Sequence, residues 1–425
     1  MATIEQNTTE YIDVGMVYTA PGHCPPLGPT RIGIRSGRIV SLSPLAADEL
    51  MPITNHLLAM PAISNAHDHG RGLPTLSFDA PDETLETWLP TLTYEPSTDP
   101  YLLATVAYAR MVETGICATN HCHNVHDSEL LLKEAEAVSR AARDVGIHVA
   151  FAVPFIEQRL HVYGKIEDLL ELLPPEDYAD ILSSLKKLKV SAEQTFGLFD
   201  QITALEHDFF HVQFCPVGPQ WVSDDKLAVI AKRSAASGRR IHMHLLETMW
   251  QREWGDIHYS QIGWLTHLDQ LGLLSPRLTI AHGVYLREEE CKLLAERQVS
   301  VSVNTSSNLR LRSGVAPVRL FRQTHVRFGL GLDGMSFDDD YDMLNELRLF
   351  WHMHRGFGGE WVLDEADLFD AACVTGRKTI IDDNGGRLEI GAPADFMILD
   401  VRRILQDRVR LSPPKNILSL LLTRM

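Results

Sequence analysis

The rhythm of apolar and polar positions divides the chain into three zones. Residues 1–58 carry short alternating runs, Thr30-Arg-Ile-Gly-Ile-Arg35 and Gly37-Arg-Ile-Val-Ser-Leu42, bounded by Gly and Pro. A period of two with that punctuation predicts half-buried strands. From 59 to 382, strand-like apolar runs alternate with helical stretches, the pattern of a parallel α/β sheet. The predicted strands are Leu57–Ser64, Gly115–Thr119, Gly146–Val153, Phe209–Val217, Arg240–Leu245, Leu278–His282, Val299–Asn304 and Val326–Asp333. Ser223-Asp-Asp before the periodic run Lys226–Ala235, and Ser128-Glu before Leu130–Ala142, are helix start signals. Short alternation returns in Gly386-Arg-Leu-Glu-Ile-Gly-Ala-Pro-Ala-Asp-Phe-Met-Ile-Leu-Asp400. The reading is an α/β fold: a (β/α)8 TIM-type barrel over 59–382, beside a small β-sandwich formed by both chain ends, 1–58 and 383–425.

Composition narrows the function classes. The 425 residues are 45% hydrophobic and 22% charged, ordinary for a globular chain with a sizeable core. A net charge of −17 repels phosphate backbones, so neither nucleic acid nor an anionic membrane is expected as a partner. Cys24, Cys117, Cys122, Cys215, Cys291 and Cys373 form no CxxC pair and read as reduced thiols. The N-terminal residues lack the basic and apolar regions of a signal peptide, and Ile417–Leu422 is too short to span a bilayer. The expectation is a cytoplasmic protein acting on a small molecule.

Histidine carries the chemistry. Four His-x-His pairs occur where composition alone predicts roughly one. His352/His354 lies in a helical run, where i and i+2 point to different faces, and reads as surface or packing. The pairs His67/His69, His121/His123 and His242/His244 fall at ends of predicted barrel strands, where i and i+2 share a face. Strand C-terminal ends are where barrel active sites sit. In Asn65-Ala-His-Asp-His69 two imidazoles on one face can chelate a cation, although two core histidines bonded to each other would leave the same trace. In His244-Leu-Leu-Glu247 the loop carboxylate stands near a metal-bound water without being a ligand, as general acid/base work requires; a helix-capping glutamate is the bland alternative. Ala281-His-Gly283 and Leu332-Asp-Gly334 end the sixth and eighth strands. Three histidines and an aspartate at one barrel mouth suit Zn2+ or Fe2+ rather than Mg2+.

These motifs, with Ser306-Ser-Asn-Leu309, Gly314-Val-Ala-Pro317 and Leu388-Glu-Ile-Gly-Ala-Pro-Ala-Asp395, resemble the amidohydrolase superfamily from about residue 30 to 400. The branch they resemble holds the cytosine, guanine and S-adenosylhomocysteine deaminases and the triazine hydrolases. The resemblance implies one divalent metal per chain, zinc or iron, held by His67, His69, His244 and Asp333. Glu247, His282 and Asp333 would be catalytic. Phe209-Phe-His-Val-Gln-Phe-Cys-Pro216 has no lysine, which the dinuclear branch would need as a carboxylated ligand at the end of strand four. A homodimer is the family-level expectation. The resemblance also implies one more sandwich strand after the last helix; with the chain ending at Met425, the C-terminal part of the sandwich is expected to be incomplete.

The implied reaction is attack of metal-activated water on an sp2 carbon. A deaminase releasing ammonia leads; hydrolysis of a urea, carbamate, amide or N-alkyl triazine is the alternative, and a barrel that binds without turnover is a third reading. Asp333 would orient the water, Glu247 shuttle a proton to the substrate nitrogen, and His282 stabilise the developing oxyanion. Specificity is expected on loops. The insert Gly70–Tyr94 offers Arg71, Phe78, Trp88 and Tyr94, and later loops offer Gln220, Trp221, Asn308, Met335 and Phe337. Such an aromatic wall suits a flat, mostly neutral ring, or else merely covers the barrel mouth; Arg71 could read an acidic substituent. His121, His123 and His126 crowd the end of the second strand, where they could touch substrate, support ligands or simply pack.

Overall fold

The computed structural model describes residues 8–46, 48–49, 51–125, 127–158, 192–406 and 416–424, with isolated positions between 163 and 187. His126 lies outside the described residues. Fourteen strands are present among those described: β1 (Glu10–Val14), β2 (Met16–Val17), β3 (Thr30–Arg35), β4 (Arg38–Pro44), β5 (Leu57–Pro61), β6 (Ile63–Asp68), β7 (Ile116–Cys122), β8 (His148–Phe155), β9 (Phe210–Pro216), β10 (Ile241–Leu245), β11 (Leu278–His282), β12 (Ser300–Val303), β13 (Arg327–Leu330) and β14 (Phe396–Asp400).

Strands β6 to β13 form one eight-stranded sheet in sequence order. Neighbours pair in parallel, with helices in the connections, as the alternating pattern predicts. Covered on both faces, the strands are almost wholly buried, which is why they read as continuous apolar runs rather than alternating ones. The sheet curls until β13 meets β6. There the Asp333 N–H donates to His67 O at 2.9 Å, and the Leu332 N–H donates to Asn65 Oδ1 at 2.9 Å. A Cβ at Gly331 would collide with the Asn304 and Ser302 side chains, so this close approach requires glycine. The barrel thus closes at the ends of the strands that carry His67 and Asp333.

The apolar run Leu57–Ser64 is two strands, not one. Leu57–Pro61 pairs antiparallel with β14 in a small sheet of order β14-β5-β2. Ala62 is the joint, its N–H on Asp395 O, and the Ile63 N–H opens the barrel strand on Gly115 O. Both halves are buried, so hydrophobicity alone did not mark the change of sheet. A second sheet, β1-β3-β4, is antiparallel. Val14, Val17, Ile32, Ile39, Ala59 and Leu388 form a small apolar core shared by the two chain ends. The C-terminal segment departs from the expected sandwich. Ile417–Arg424 is a helix whose Ile417, Leu418, Leu421 and Leu422 join the main barrel core. The boundary at 58/59 likewise falls inside β5.

The helix after Ser223 runs Asp224–Ser237, while the one after Ser128 begins only at Leu131. His354, in the helix Met343–His354, is buried against Phe350, a packing role. No helix among the described residues is long and apolar enough to cross a membrane.

Candidate metal centre and active site

Three imidazoles and a carboxylate converge at the closed seam. His67 and His69 come from β6 and its end, His244 from β10, and Asp333 from the turn after β13. One ligand atom from each lies within 4.8 Å of all the others. Asp333 Oδ1 stands 2.9 Å from His67 Nε2 and 3.1 Å from His69 Nε2. The ring contacts explain how. The Nδ1–H of His69 donates to Cys122 O at 2.8 Å, and that of His244 to Val217 O at 2.7 Å. A carbonyl only accepts, so in each ring Nδ1 holds the proton and Nε2 is left with a lone pair for a cation. His67 Nε2 is fully buried and, although near Asp333, makes no aligned hydrogen bond. A buried nitrogen without a hydrogen bond in a polar cluster has its lone pair available to a cation. Burial drives the His67 pKa down to about 4 and that of His244 well below the usual range, so both rings are neutral and able to ligate at neutral pH. Burial would raise the Asp333 carboxyl, but positive charge on the adjacent imidazoles, His67 first, would outweigh it and hold the group well below its ordinary range. With those rings neutral, a divalent ion held between them would supply that charge instead. The donor set fits one divalent cation of intermediate softness.

The two remaining expected catalytic groups stand beside this set. His282 Nε2 lies 3.4 Å from Glu247 Oε2 and 3.8 Å from Asp333 Oδ2. Burial pushes the Glu247 carboxyl up to about 7; His282 opposes this, while Asp333 and Glu86 add to it. A carboxyl titrating near neutrality is suited to proton transfer in both directions. His282 and Asp333 both sit at positive φ, 74° and 60°, a backbone region that costs on the order of 1–3 kcal/mol per non-glycine residue. The strain falls on the residues at the reacting end of the barrel.

Neighbours that the sequence did not single out hold these groups in place. Asp68 Oδ1 accepts the Gly70 N–H at 2.7 Å, and its Oδ2 accepts Asn65 Nδ2 at 2.8 Å and the Gly334 N–H at 3.0 Å. With the Asn65 bond to Leu332, these contacts tie the His67/His69 strand end to the Asp333 turn. The helix Thr305–Arg310 supplies one more, Ser307, next to Asn308, which the sequence offers as a substrate residue. Ser307 Oγ donates to Asp333 Oδ2 at 2.5 Å, and Asn308 Oδ1 accepts the His282 Nδ1–H at 2.9 Å. The buried Glu346 takes the Thr305 and Ser306 N–H groups at the start of that helix, at 2.8 and 3.1 Å. Asn65, Asp68 and Ser307 stand inside the quoted motifs; Glu346 left no local signal.

The expected substrate residues divide. Asn308 touches His282, as described. Gln220 Oε1 accepts Gln251 Nε2 at 2.9 Å, and Gln251 Oε1 accepts the Glu247 N–H at 3.0 Å, so Gln220 backs the Glu247 loop. Trp221 acts through its backbone, its carbonyl accepting the Glu157 and Gln158 N–H groups. Trp88, Met335 and Leu311 form a buried apolar cluster, with Arg71 stacked over Trp88 at 5.1 Å. His121 and His123 belong to a polar chain running Tyr108 OH–His121–His123–Glu134 with steps of 2.7, 3.2 and 2.7 Å. The aromatic wall is not continuous: Phe78 is buried, whereas Tyr94 and Phe337 are exposed. Thr248 Oγ1 and Tyr163 OH both donate to Glu86 Oε1, at 2.6 and 2.7 Å, clamping the 70–94 insert onto the loop of Glu247.

Residues 58–422 match the amidohydrolase family profile. The chain belongs to the amidohydrolase family. It is similar to a 5'-deoxyadenosine deaminase of Methanothermobacter thermautotrophicus, 26% identical over 389 residues that cover 87% of this chain and 82% of the relative. Its fold is that of an adenosine deaminase from Xanthomonas campestris with bound zinc (TM-score 0.75, 24% identity, 97% of this chain and 88% of that one). It is also that of the zinc complex of atrazine chlorohydrolase from Arthrobacter aurescens TC1 (TM-score 0.76, 20% identity, 97% and 90%). This amidohydrolase is a metal-binding enzyme of the (β/α)8 barrel class that hydrolyses C–N bonds.

Proposed function

We propose that this amidohydrolase is a zinc-dependent deaminase that replaces a ring C–NH2 by C=O and releases ammonia, with adenine nucleosides the first substrate class to test. The observation that carries the reading is the four-donor set His67, His69, His244 and Asp333 with the Glu247–His282 pair at its edge. The deoxyadenosine deaminase among its relatives supports the substrate class.

When bound, the ion supplies activated water, lowering its pKa from about 15.7 toward 7. Asp333, held ionised, orients the water and accepts its proton. Glu247, titrating near 7, delivers its proton to the ring nitrogen, is reloaded with the proton that Asp333 took from the water and passes that one to the departing amine. The hydroxyl proton at the attacked carbon returns to Glu247 as C=O forms. His282 is fixed by Asn308 through Nδ1, so its Nε2 faces Glu247 and the attacked carbon, where it stabilises the developing oxygen when that nitrogen carries a proton as well.

The test is product mass by liquid chromatography–mass spectrometry after incubating zinc-loaded protein with adenine nucleosides, aminopterins, cytosine analogues, triazines, aryl ureas and carbamates. Exchange of NH for O in one compound, matched by free ammonia, is the expected result. Scission into two organic fragments would reassign the enzyme to urea, carbamate or amide hydrolysis, with the metal set standing.

A further inference from the structure

The His242/His244 pair is only half used by the site: His244 is a ligand candidate, and the role of His242 is open. His242 is fully buried one turn of the strand pleat below, on the same face of β10. Its Nε2 lies 2.7 Å from His67 Nδ1. The two ring planes are 11° apart with centroids separated by 4.9 Å. The nitrogens are far closer than the ring centres, so the rings meet edge to edge and nearly coplanar, which is hydrogen-bond alignment rather than face stacking.

The three candidate histidine ligands differ in one respect. His69 and His244 anchor Nδ1 on main-chain carbonyls, whereas His67 anchors it on another side chain. A carbonyl can only accept; an imidazole can do either, so this bond decides which nitrogen of His67 keeps its lone pair. Ligation through Nε2 requires the proton on His67 Nδ1 and therefore an unprotonated, accepting Nε2 on His242. A neutral His242 then carries its own proton on Nδ1, and that atom is buried without a hydrogen-bond partner. Two buried nitrogens of the pair lack a partner: His242 Nδ1 at the end remote from the metal position, and His67 Nε2, whose lone pair then faces His69, His244 and Asp333.

We propose that His242 is a positioning residue: by accepting from His67 Nδ1 it fixes the tautomer and plane of that ring for metal ligation. The inference rests on the metal reading of the four-donor set. Partners that orient ligating histidines alter metal affinity by about 10–100-fold when removed.

The experiment compares zinc affinity, by competition with a chromophoric chelator, in the wild type, His242→Gln and His242→Leu, with folding monitored by circular dichroism. Gln keeps a side-chain acceptor at this depth; Leu keeps the bulk and removes it. The expected result is a loss of about 10–100-fold in His242→Leu and recovery to within a few-fold in His242→Gln. Equal affinity in all three proteins, or an equal loss in both variants, overturns the proposal, the second because packing alone would then be at work. A variant-independent check is the imidazole 15N spectrum of the zinc-loaded wild type. It should show His242 as the Nδ1–H tautomer, and an Nε2–H tautomer there refutes the assignment. A wild type that binds no zinc refutes the metal reading itself, a different outcome from wild-type binding that His242→Leu leaves unchanged.

Discussion

Replacing Glu247 by Gln isolates proton transfer from everything else the site does. The side chains have nearly the same shape, and the Gln251 contact is made to the backbone N–H of residue 247, so it survives. The carboxamide can still accept the Ser313 hydroxyl, 3.4 Å away in the native protein. What disappears is a group that titrates at about 7 and stands 3.4 Å from His282 Nε2. Positioned acid–base groups contribute about 10²–10⁴ in rate, equivalent to about 2.7–5.4 kcal/mol of barrier. The upper part of that range is expected here, since Glu247 is 3% exposed and bulk water has little access to take over its task. Steady-state ammonia release would give kcat, and elemental analysis of dialysed protein would give metal per chain. The expected outcome is a kcat loss of about 10³–10⁴ with unchanged metal content. A loss under tenfold would mean that Glu247 does not carry the proton. Loss of the metal would make Glu247 a ligand and overturn the assignment of roles.

Three further outcomes follow from the geometry. Chelation should abolish turnover and lower the melting temperature. Zinc at about 100 times its dissociation constant should return both, with about 2.7 kcal/mol of stabilisation in a denaturant titration; a melting curve indifferent to zinc would refute a site formed by the folded barrel. Asp68→Ala strands the Gly70 and Gly334 N–H groups and the Asn65 amide, at about 1–3 kcal/mol for each buried donor that water cannot reach. It should unfold at lower urea concentration and bind zinc more weakly, and wild-type values for both would show that the seam does not depend on this carboxylate. Burial pushes Glu346 from its ordinary 4.5 up to about 7, so the folded chain binds that proton more tightly than the unfolded one. Its contribution is fully present below pH 4.5 and lost as pH rises through about 7, on the order of 3 kcal/mol. Glu346→Gln should therefore flatten the urea-melt stability profile between pH 5 and 8, and a profile parallel to that of the wild type would contradict the shift.

Much of the site was legible because its residues lie close together along single strands. His67 with His69, and His244 with Glu247, are short spacings at strand ends, where the pleat and the turn after it decide which way each group faces. Barrel architecture then brings strand ends to one mouth, so His282 and Asp333 could be added from their places in the alternation. The substrate residues were less legible. Trp88 and Met335 were read as wall, and the structure places them in a packed cluster with Leu311. His121 was one of several crowded histidines until its bonds to Tyr108 and His123 gave it a place in a chain.

The sequence by itself determined the eight-strand alternation, the contribution of both chain ends to a small β-rich unit, and the identity of the converging donors. Those properties are set by periodicity and by residue type over a few neighbouring positions. Only the tertiary structure decided that Leu57–Ser64 serves two sheets, that Ile417–Arg424 packs on the barrel, and that His242 meets His67. It alone joined Asn65 to Leu332, Asp68 to Gly334, Asn308 to His282 and Glu346 to Thr305. Most of these are contacts between residues tens to hundreds of positions apart. A hydrophobic run is equally content in any buried sheet, and a polar side chain names its partner only after the chain has closed on itself.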